Sequence, residues 1–373
     1  MLMLRIKSVA AVFSSFALVS YVSQKTTAIS PAMGEMVNTF FNVHPESPEA
    51  SCDPTYGPGW VSEEGHWQRS DNACQSSQFI QRFRDTPSSK YVDEFPTLVN
   101  KTMFILGDSV GRQLWDQLCF EIGAPKNVRY PPGVEPAVHY SEASVCTQPE
   151  LNFTIVGFHQ YGFANATDPT TLGYLEKCFP GGPYDYETRV PNLWNTLLTD
   201  IPEPDYISLS GGAWDYLYMF NRDIIEKRFH NSIPEEDLKT FSGRLKGLIG
   251  LMGEMFPRSK VVWINMHPLN NVDLGAKHNW GGGYFQPPLD RSVDSVLFPP
   301  LFSQRRLAQH AQALRLAAEE EGVDSLDYWK LKDSFNSDDF WAPNDPVHPG
   351  DQPRIAMAEM MLEKLHRWSA YGV

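Results

Sequence analysis

A serine that follows a buried apolar run is the first residue whose setting suggests chemistry. Residues 102–115 read TMFILGDSVGRQLW, so Ser109 ends a strand-like segment and opens a helical one. In an open α/β sheet this turn places a hydroxyl at the carboxyl edge of the strands, where such folds bind ligands. The first amides of the new helix also favour a developing negative charge. The sequence therefore predicts that Ser109 is a nucleophile.

Three neighbours of Ser109 fit the same interpretation. Gly107 permits a sharp backbone turn, and Asp108 can accept hydrogen bonds that fix this turn. Arg112 follows Ser109 by three residues, which puts both side chains on one face of the first helical turn. We expect the Arg112 guanidinium to stabilise an oxyanion, whereas the ordinary alternative is a salt bridge with Asp116 at the i+4 position.

A serine hydroxyl becomes a good nucleophile only when a base removes its proton. Among the ten histidines, His348 has the most suitable context, because it lies in a proline-punctuated loop before the last amphipathic stretch. Asp345 precedes it by three residues, close enough to hold the ring and leave its other nitrogen free. The sequence predicts a triad of Ser109, His348 and Asp345. The ordinary alternatives are an N-cap serine and a loop histidine bonded to backbone.

Short apolar runs alternate with helical patterns from residue 100 onward, which predicts a parallel sheet with helices on its faces. A loop rich in Gly, Pro and Asn at 268–300 is typical of segments that cover a site. The predicted strands are 102–107, 152–158, 205–211, 260–266 and 323–328, and the predicted helices are 110–122, 237–255, 303–321 and 352–368.

The N-terminal third is predicted to differ from this α/β region. Residues 1–28 place Arg5 and Lys7 ahead of an uncharged run, the layout of a secretory signal peptide or a short signal-anchor. If the segment is retained, the charge bias keeps the N-terminus cytoplasmic and the rest luminal. Residues 29–95 show no sustained period and are predicted to form an irregular, disulfide-pinned lobe. The catalytic domain is predicted at 96–373.

Cysteines and sequons support a luminal or secreted protein. Acceptor sequons begin at Asn100, Asn152 and Asn165, and their chemistry is available only in that compartment. Five cysteines with no CxxC pair predict up to two disulfides and one free thiol, with Cys52–Cys74 as the preferred bridge. The cysteines are Cys52, Cys74, Cys119, Cys146 and Cys178.

The net charge and the composition limit the classes of ligand that the protein is expected to bind. The net charge of −14 argues against nucleic acid as a partner and mildly disfavours a strongly anionic polymer. No metal site is expected, because His267 and His278 lack ligand spacing and a nearby carboxylate pair. No tightly bound cofactor is expected.

These motifs, in this order, resemble the GDSL-like SGNH superfamily and, within it, the PC-esterase branch with the trichome birefringence-like proteins. The resemblance covers residues 51–367. The matching segments are GDSxxR at Gly107 to Arg112 with Trp115, DxxH at Asp345 to His348, CD...GxWV at Cys52-Asp53 and Gly59-Trp60-Val61, W...C at Trp67 to Cys74, TGxW at Gly211-Gly212-Ala213-Trp214, and WnxGG at Asn279-Trp280-Gly281-Gly282.

The resemblance implies an SGNH-like α/β fold and an O-acetyltransferase that passes an acetyl group, through an acetyl-serine, to a polysaccharide hydroxyl. Its substrate would be a cell-wall or cell-surface polysaccharide, and acetyl-CoA or an acetylated intermediate would be the donor. The chain would be a single-pass type II protein of the Golgi or a secreted one. Gly212, Trp214 and Trp280 would contact the oxyanion or the sugar.

The chain departs from the family in two places. Pro349 and Gly350 follow His348 where plant members have flanking cysteines, so disulfide anchoring of that loop is not expected. The superfamily's oxyanion asparagine has no counterpart near 210–214, which makes Arg112 and backbone amides the better candidates for that role. The superfamily's glycine block after the second strand would correspond to Gly157 or Gly162. Two other functions stay open: a secreted carbohydrate acetylesterase with the same triad, and a non-catalytic carbohydrate-binding protein.

Overall fold

The computed structural model describes residues 78–131, 142–163, 184–226, 232–268, 304–335, 339–343, 345 and 347–371. It also describes two short strands, β1 (Gly59–Val61) and β2 (Trp67–Arg69), which pair antiparallel. All of these residues belong to one unit that spans Pro54–Val373.

A seven-stranded sheet organises this unit. Its strands are β3 (Thr102–Gly107), β4 (Lys126–Arg129), β5 (Ala143–Gln148), β6 (Phe153–His159), β7 (Tyr206–Ser210), β8 (Lys260–Asn265) and β9 (Asp324–Asp327). Their order across the sheet is β4-β5-β6-β3-β7-β8-β9. The five strands from β6 to β9 in this order are parallel, whereas β5 is antiparallel to both of its neighbours.

Helices cover both faces of the sheet. They are α1 (Phe79–Asp85), α2 (Tyr91–Glu94), α3 (Ser109–Glu121), α4 (Tyr186–Leu197), α5 (Ala213–Glu226), α6 (Glu235–Met255), α7 (Gln304–Glu320), α8 (Tyr328–Asp333) and α9 (Asp351–Tyr371). Residues of α1, α3, α8 and α9 pack on one face, and residues of α4, α5, α6 and α7 pack on the other.

Strand β3 shows why the sheet is central. Met103 and Ile105 belong to one core, Phe104 and Leu106 belong to the opposite core, and all four are at most 1% exposed. A strand buried on both faces needs a continuous apolar run, which is what this segment provides. Strand β3 lies between β6 and β7, and after β6 the chain crosses to the other side of β3 to form β7, so the carboxyl end of β3 is a topological switch point.

The α/β fold class predicted from the sequence is confirmed: the sheet is mostly parallel and has helices on both faces. The five predicted strands are β3, β6, β7, β8 and β9, and the four predicted helices are α3, α6, α7 and α9. The sequence missed β4 and β5, because the exposed KNVR and the mixed ASVCTQ lack the apolar run of the central strands.

Helices α1 and α2 lie within the segment that the sequence assigned to an irregular lobe. Phe79, Ile80 and Phe83 are buried, and Glu359 of α9 accepts hydrogen bonds from Phe79 N and Ile80 N at 2.7 and 2.9 Å. This segment is therefore helical and joined to the last helix. The boundary at residue 95 stays a prediction, because most of 29–77 lies outside the described residues.

A disulfide joins Cys119 of α3 to Cys146 of β5, a pair that the sequence did not single out. The preferred pair Cys52–Cys74, the fifth cysteine Cys178, the leader and the third sequon lie outside the described residues. Among the residues that the structure describes, no helix combines the length and the apolar character that a bilayer span requires.

Candidate active site

The turn between β3 and α3 holds Ser109 at the carboxyl edge of the sheet. Asp108 caps α3, since its Oδ1 accepts a hydrogen bond from Val110 N at 2.9 Å, and its Oδ2 accepts from Ala213 N at 3.3 Å. Its side chain is fully buried, and this burial raises the pKa of Asp108 although the backbone N–H donors oppose the shift. Asp108 therefore joins the turn that holds Ser109 to the turn after β7.

Two glycines let the end of β7 approach this turn. A Cβ on Gly107 would lie 2.1 Å from Ser210 Oγ and 2.9 Å from Gly111 Cα, and a Cβ on Gly111 would lie 2.8 Å from the same hydroxyl. Gly107 O also accepts a hydrogen bond from Gln160 N at 2.6 Å. The contacts of Gly107 and Asp108 are thus with the neighbouring turns, and both residues position Ser109.

The loop before α9 brings an imidazole to Ser109 from the far end of the chain. His348 Nε2 lies 2.7 Å from Ser109 Oγ, and His348 Nδ1 lies 2.6 Å from Asp345 Oδ2. The second carboxylate oxygen of Asp345 accepts hydrogen bonds from Val347 N and His348 N at 3.0 and 3.1 Å. The structure therefore brings the hydroxyl, the ring and the carboxylate into one hydrogen-bonded chain.

The carboxylate of Asp345 is kept ionised by its partners. Partial burial alone would raise the pKa of Asp345, but the hydrogen bond and charge of His348, with the two backbone N–H donors, hold that pKa below its ordinary value. An ionised carboxylate favours the proton on Nδ1 of the ring. The Nε2 lone pair then faces the Ser109 hydroxyl, which is the arrangement of a general base.

Short-range hydrogen bonds brace this loop, which has no cysteine. Ala342 N donates to His348 O at 2.9 Å, Asp345 N donates to Ala342 O at 3.0 Å, and Gly350 N donates to Phe340 O at 2.8 Å. Val347, which belongs to this loop, is buried in the core. Backbone hydrogen bonds therefore anchor this loop.

A second histidine lies close enough to His348 for their charges to interact. His267 follows β8, is 1% exposed, and its ring packs against Phe340 and Trp341 with centroids 5.1 and 5.3 Å away. Burial lowers the pKa of His267 to about 4, although its bond to the Pro268 carbonyl opposes the shift. His267 is therefore neutral at pH 7. The sequence offered one signal for this position, since residue 267 directly follows a predicted strand.

No metal centre is formed by the residues that the structure describes, where no group of three or more His, Cys, Asp or Glu side chains could hold an ion. His278, which the sequence analysis considered together with His267, lies outside these residues.

A cleft opens beside α3, and Arg112, Trp115, Gly157 and His159 are among the residues that line it. Arg112 is exposed, and no carboxylate among the described residues lies within ion-pair distance of its guanidinium. Asp116, its alternative partner, pairs with Lys126 instead. Arg112 is thus available to a ligand in this cleft.

His159 and Gly157 shape the same cleft. Desolvation, followed by the charges of Arg189 and Arg112, lowers the pKa of His159 well below its ordinary value. A Cβ on Gly157 would lie 3.1 Å from the Trp115 ring, so the glycine keeps space open above the indole. The sequence missed His159, whose signal was its position at the end of a predicted strand.

The remaining predicted contacts lie on the turns around β7. Gly212 has a positive φ of 128°, and a Cβ there would lie 2.8 Å from the His310 ring, so this turn requires glycine. The half-buried Trp214 ring lies 6.2 Å from the His159 ring, next to the cleft. Gly162 packs on Asp215 with φ 85°. Trp280 lies outside the described residues.

The comparisons with known proteins concern the fold. No protein-family model matches the sequence, and a search of curated proteins finds no match. Solved structures that are similar include a lipase/acylhydrolase from Enterococcus faecalis, at 12% identity and a TM-score of 0.37, covering 71% of this chain and 95% of that one. A carbohydrate esterase family 3 protein from Talaromyces cellulolyticus has 13% identity and a TM-score of 0.33, with 72% and 98% covered. A peptidoglycan O-acetylesterase has 11% identity and a TM-score of 0.37, with 77% and 97% covered.

Proposed function

We propose that the protein is a serine-dependent O-acetyltransferase that moves an acetyl group to a hydroxyl of a cell-wall or cell-surface polysaccharide through an acyl-serine. The observation that carries the acyl-transfer chemistry is the hydrogen-bonded chain from Ser109 Oγ to His348 to Asp345, with heavy-atom distances of 2.7 and 2.6 Å. These are the distances required between a nucleophile, its base and the group that orients the base.

The first half-reaction forms the acyl-serine. Ser109 Oγ attacks the carbonyl carbon of the acetyl donor while His348 Nε2 takes the hydroxyl proton. The tetrahedral intermediate collapses when the bond to the leaving group breaks, and the leaving group recovers this proton from His348. Asp345 stays ionised throughout and stabilises the positively charged ring. Acetyl-CoA or an acetylated intermediate is the proposed donor, bound as a co-substrate.

Two groups can hold the oxyanion of this intermediate. The N-terminus of α3 presents backbone N–H groups and its positive dipole end beside Ser109. The Arg112 guanidinium stands one helical turn further on at the cleft. In this proposal Gly107 and Asp108 act indirectly, because they set the direction of the first amides.

The second half-reaction decides between transfer and hydrolysis. A sugar hydroxyl that attacks the acetyl-serine gives the transferase, with His348 as base once more. The half-buried Trp214 lies next to the cleft, and an aromatic face of this kind suits a sugar ring. Water in place of the sugar makes the same site an acetylesterase. The His348 side chain is 19% exposed, which favours the access of water and keeps this second candidate.

The proposed setting is the secretory pathway, with the site in the Golgi lumen or outside the cell. The N-terminal leader and the sequons support this setting. The polysaccharide acceptor and the Golgi rest on the resemblance to the PC-esterase branch.

The function is tested by incubating the full chain with an acetyl donor and candidate oligosaccharides. Mass spectrometry that detects added acetyl groups on sugar selects the transferase, and loss of acetyl from acetylated sugar without any gain selects the esterase. Ser109→Ala is expected to abolish either activity, by at least about a thousandfold. A Ser109→Ala variant that keeps wild-type activity would show that the triad is not the catalytic group.

A further inference from the structure

Two of the three acceptor sequons lie side by side at the edge of the sheet opposite to the candidate active site. Asn100 precedes β3, and Asn152 immediately precedes β6. These strands are parallel neighbours, and the two sequon threonines, Thr102 and Thr154, are register partners. The sequons therefore meet at the amino edge of the sheet, about 20 Å from Ser109 along a six-residue strand.

The two asparagine side chains bond to each other directly. Asn152 Nδ2 donates to Asn100 Oδ1 over 2.9 Å, and both side chains are exposed. Their φ angles of 57° and 50° lie in the left-handed region, which asparagine adopts more readily than most residues. Asn100 N also donates to Leu151 O at 2.8 Å. The backbone thus fixes the two amides next to each other.

The threonines of both sequons point into the protein. Thr102 and Thr154 are 3% and 6% exposed, and Thr154 Oγ1 lies 3.0 Å from Thr147 Oγ1. An enzyme that reads the asparagine and the threonine of a sequon together can reach both only before β3 and β6 pair. Any glycan at these positions is therefore attached before this part of the sheet has folded.

We propose that Asn100 and Asn152 form one shared N-glycan attachment site that carries a single glycan in the folded protein. In the transfer, the bond from Nδ2 to sugar C1 forms, the bond from C1 to the diphosphate of a lipid-linked oligosaccharide breaks, and Nδ2 gives up one proton. A pyranose ring is wider than the 2.9 Å between Asn152 Nδ2 and Asn100 Oδ1, so a chain that carries a glycan on only one of the two amides can form this paired arrangement, and a chain that carries two cannot. The site requires passage through the secretory lumen but does not depend on the proposed activity.

The test is secretion of the full chain from eukaryotic cells, with Asn165→Gln removing the third sequon. We expect the intact mass to show one N-glycan per folded molecule, and glycopeptides to divide it between Asn100 and Asn152. Asn100→Gly and Asn152→Gly keep the left-handed backbone while they remove the acceptor amide. Each single variant is expected to retain one glycan, and the double variant none.

Three outcomes would overturn the shared site. They are two glycans on one folded molecule, no glycan on either asparagine of the secreted protein, and loss of all glycan in one of the single glycine variants. The glycan count is read from mass alone, so the catalytically inactive Ser109→Ala chain serves equally well. A failed acetyl-transfer assay therefore leaves this result unaffected.

Discussion

The nucleophile and the base of the candidate site are held in different ways. Ser109 follows a strand buried on both faces, and its turn is fixed by the buried Asp108 and by glycines packed on Ser210. His348 and Asp345 lie on a partly exposed loop, and most of the loop's hydrogen bonds join residues within ten positions of each other. The sheet thus determines where the hydroxyl lies, and a local loop determines how the ring meets it.

Because of this difference, substitutions on the two sides should affect stability and rate differently. A change on the nucleophile side disturbs packed backbone and is expected to affect both stability and rate. A change in the loop is expected to affect the rate mainly, because few core contacts depend on Asp345 or His348. The three predictions below test this separation.

The largest effect is expected for Asp345→Asn. The amide oxygen can still accept from Val347 N and His348 N, so the loop should keep its backbone geometry. The NH₂ group of the asparagine then faces His348 Nδ1, which favours the tautomer with its proton on Nε2. In that tautomer Nε2 cannot accept the proton of Ser109 Oγ. We expect kcat to fall by about 10⁴-fold while the midpoint of urea unfolding barely changes.

Asp351→Asn is the matched control. This aspartate begins α9, its side chain is 86% exposed, and it takes no part in the hydrogen-bonded chain from Ser109 to Asp345. Its kcat should equal that of the wild type. If Asp345→Asn instead lowered stability as strongly as a core substitution, the loop would be part of the packed scaffold and the contrast between the two sides would be wrong.

The same contrast explains which parts of the site could be predicted from the sequence. The run 102–107 and the GDS turn predicted β3 and the position of Ser109, because a doubly buried strand leaves a clear apolar signature. The pair Asp345 and His348 was predictable from its spacing of three in one loop. Its contact with Ser109, 2.7 Å between His348 Nε2 and Ser109 Oγ, depends on the tertiary fold, because 239 positions separate the two residues along the chain.

Other features had no local signature. Three such features depend on which strands become neighbours. They are the proximity of His267 to His348, the position of His159 in the wall of the cleft, and the disulfide between Cys119 and Cys146. Strand neighbours follow from the order β6-β3-β7-β8, which no single segment encodes. The helical pattern of α1 was hidden because it is short and its stability comes from packing on α9 and from the Glu359 carboxylate.

A second prediction concerns the stability of the base side at acid pH. Burial lowers the pKa of His267 from 6.5 to about 4, so between these values the unfolded chain binds a proton that the folded chain does not. The contribution of His267 to stability is complete above pH 6.5 and decreases as the pH falls towards 4. The full difference is on the order of 3 kcal/mol, measured as the change in the free energy of urea unfolding between pH 7 and pH 4.

His267→Asn removes this titration and retains an N–H donor for the Pro268 carbonyl. We expect the variant to lose most of that pH-dependent decrease while other buried histidines, such as His159, keep their share. An unchanged slope in His267→Asn would mean that the ring is protonated or solvated in the folded protein. His267 would then have a polar surrounding instead of the apolar one formed by Phe340 and Trp341.

The smallest effect is expected on the nucleophile side, for Gly107→Ala. The added methyl group would lie 2.1 Å from Ser210 Oγ and 2.9 Å from Gly111 Cα, so the turn must shift. Overpacking of this kind costs about 1–3 kcal/mol, and the shift should also lower kcat because Ser109 moves relative to His348. Gly243→Ala is the control, since nothing lies within 4 Å of its Cβ and alanine should stabilise α6. If Gly107→Ala lowered stability but left kcat unchanged, the position of Ser109 would not depend on the packing of its turn. The claim that the sheet determines where the hydroxyl lies would then be wrong.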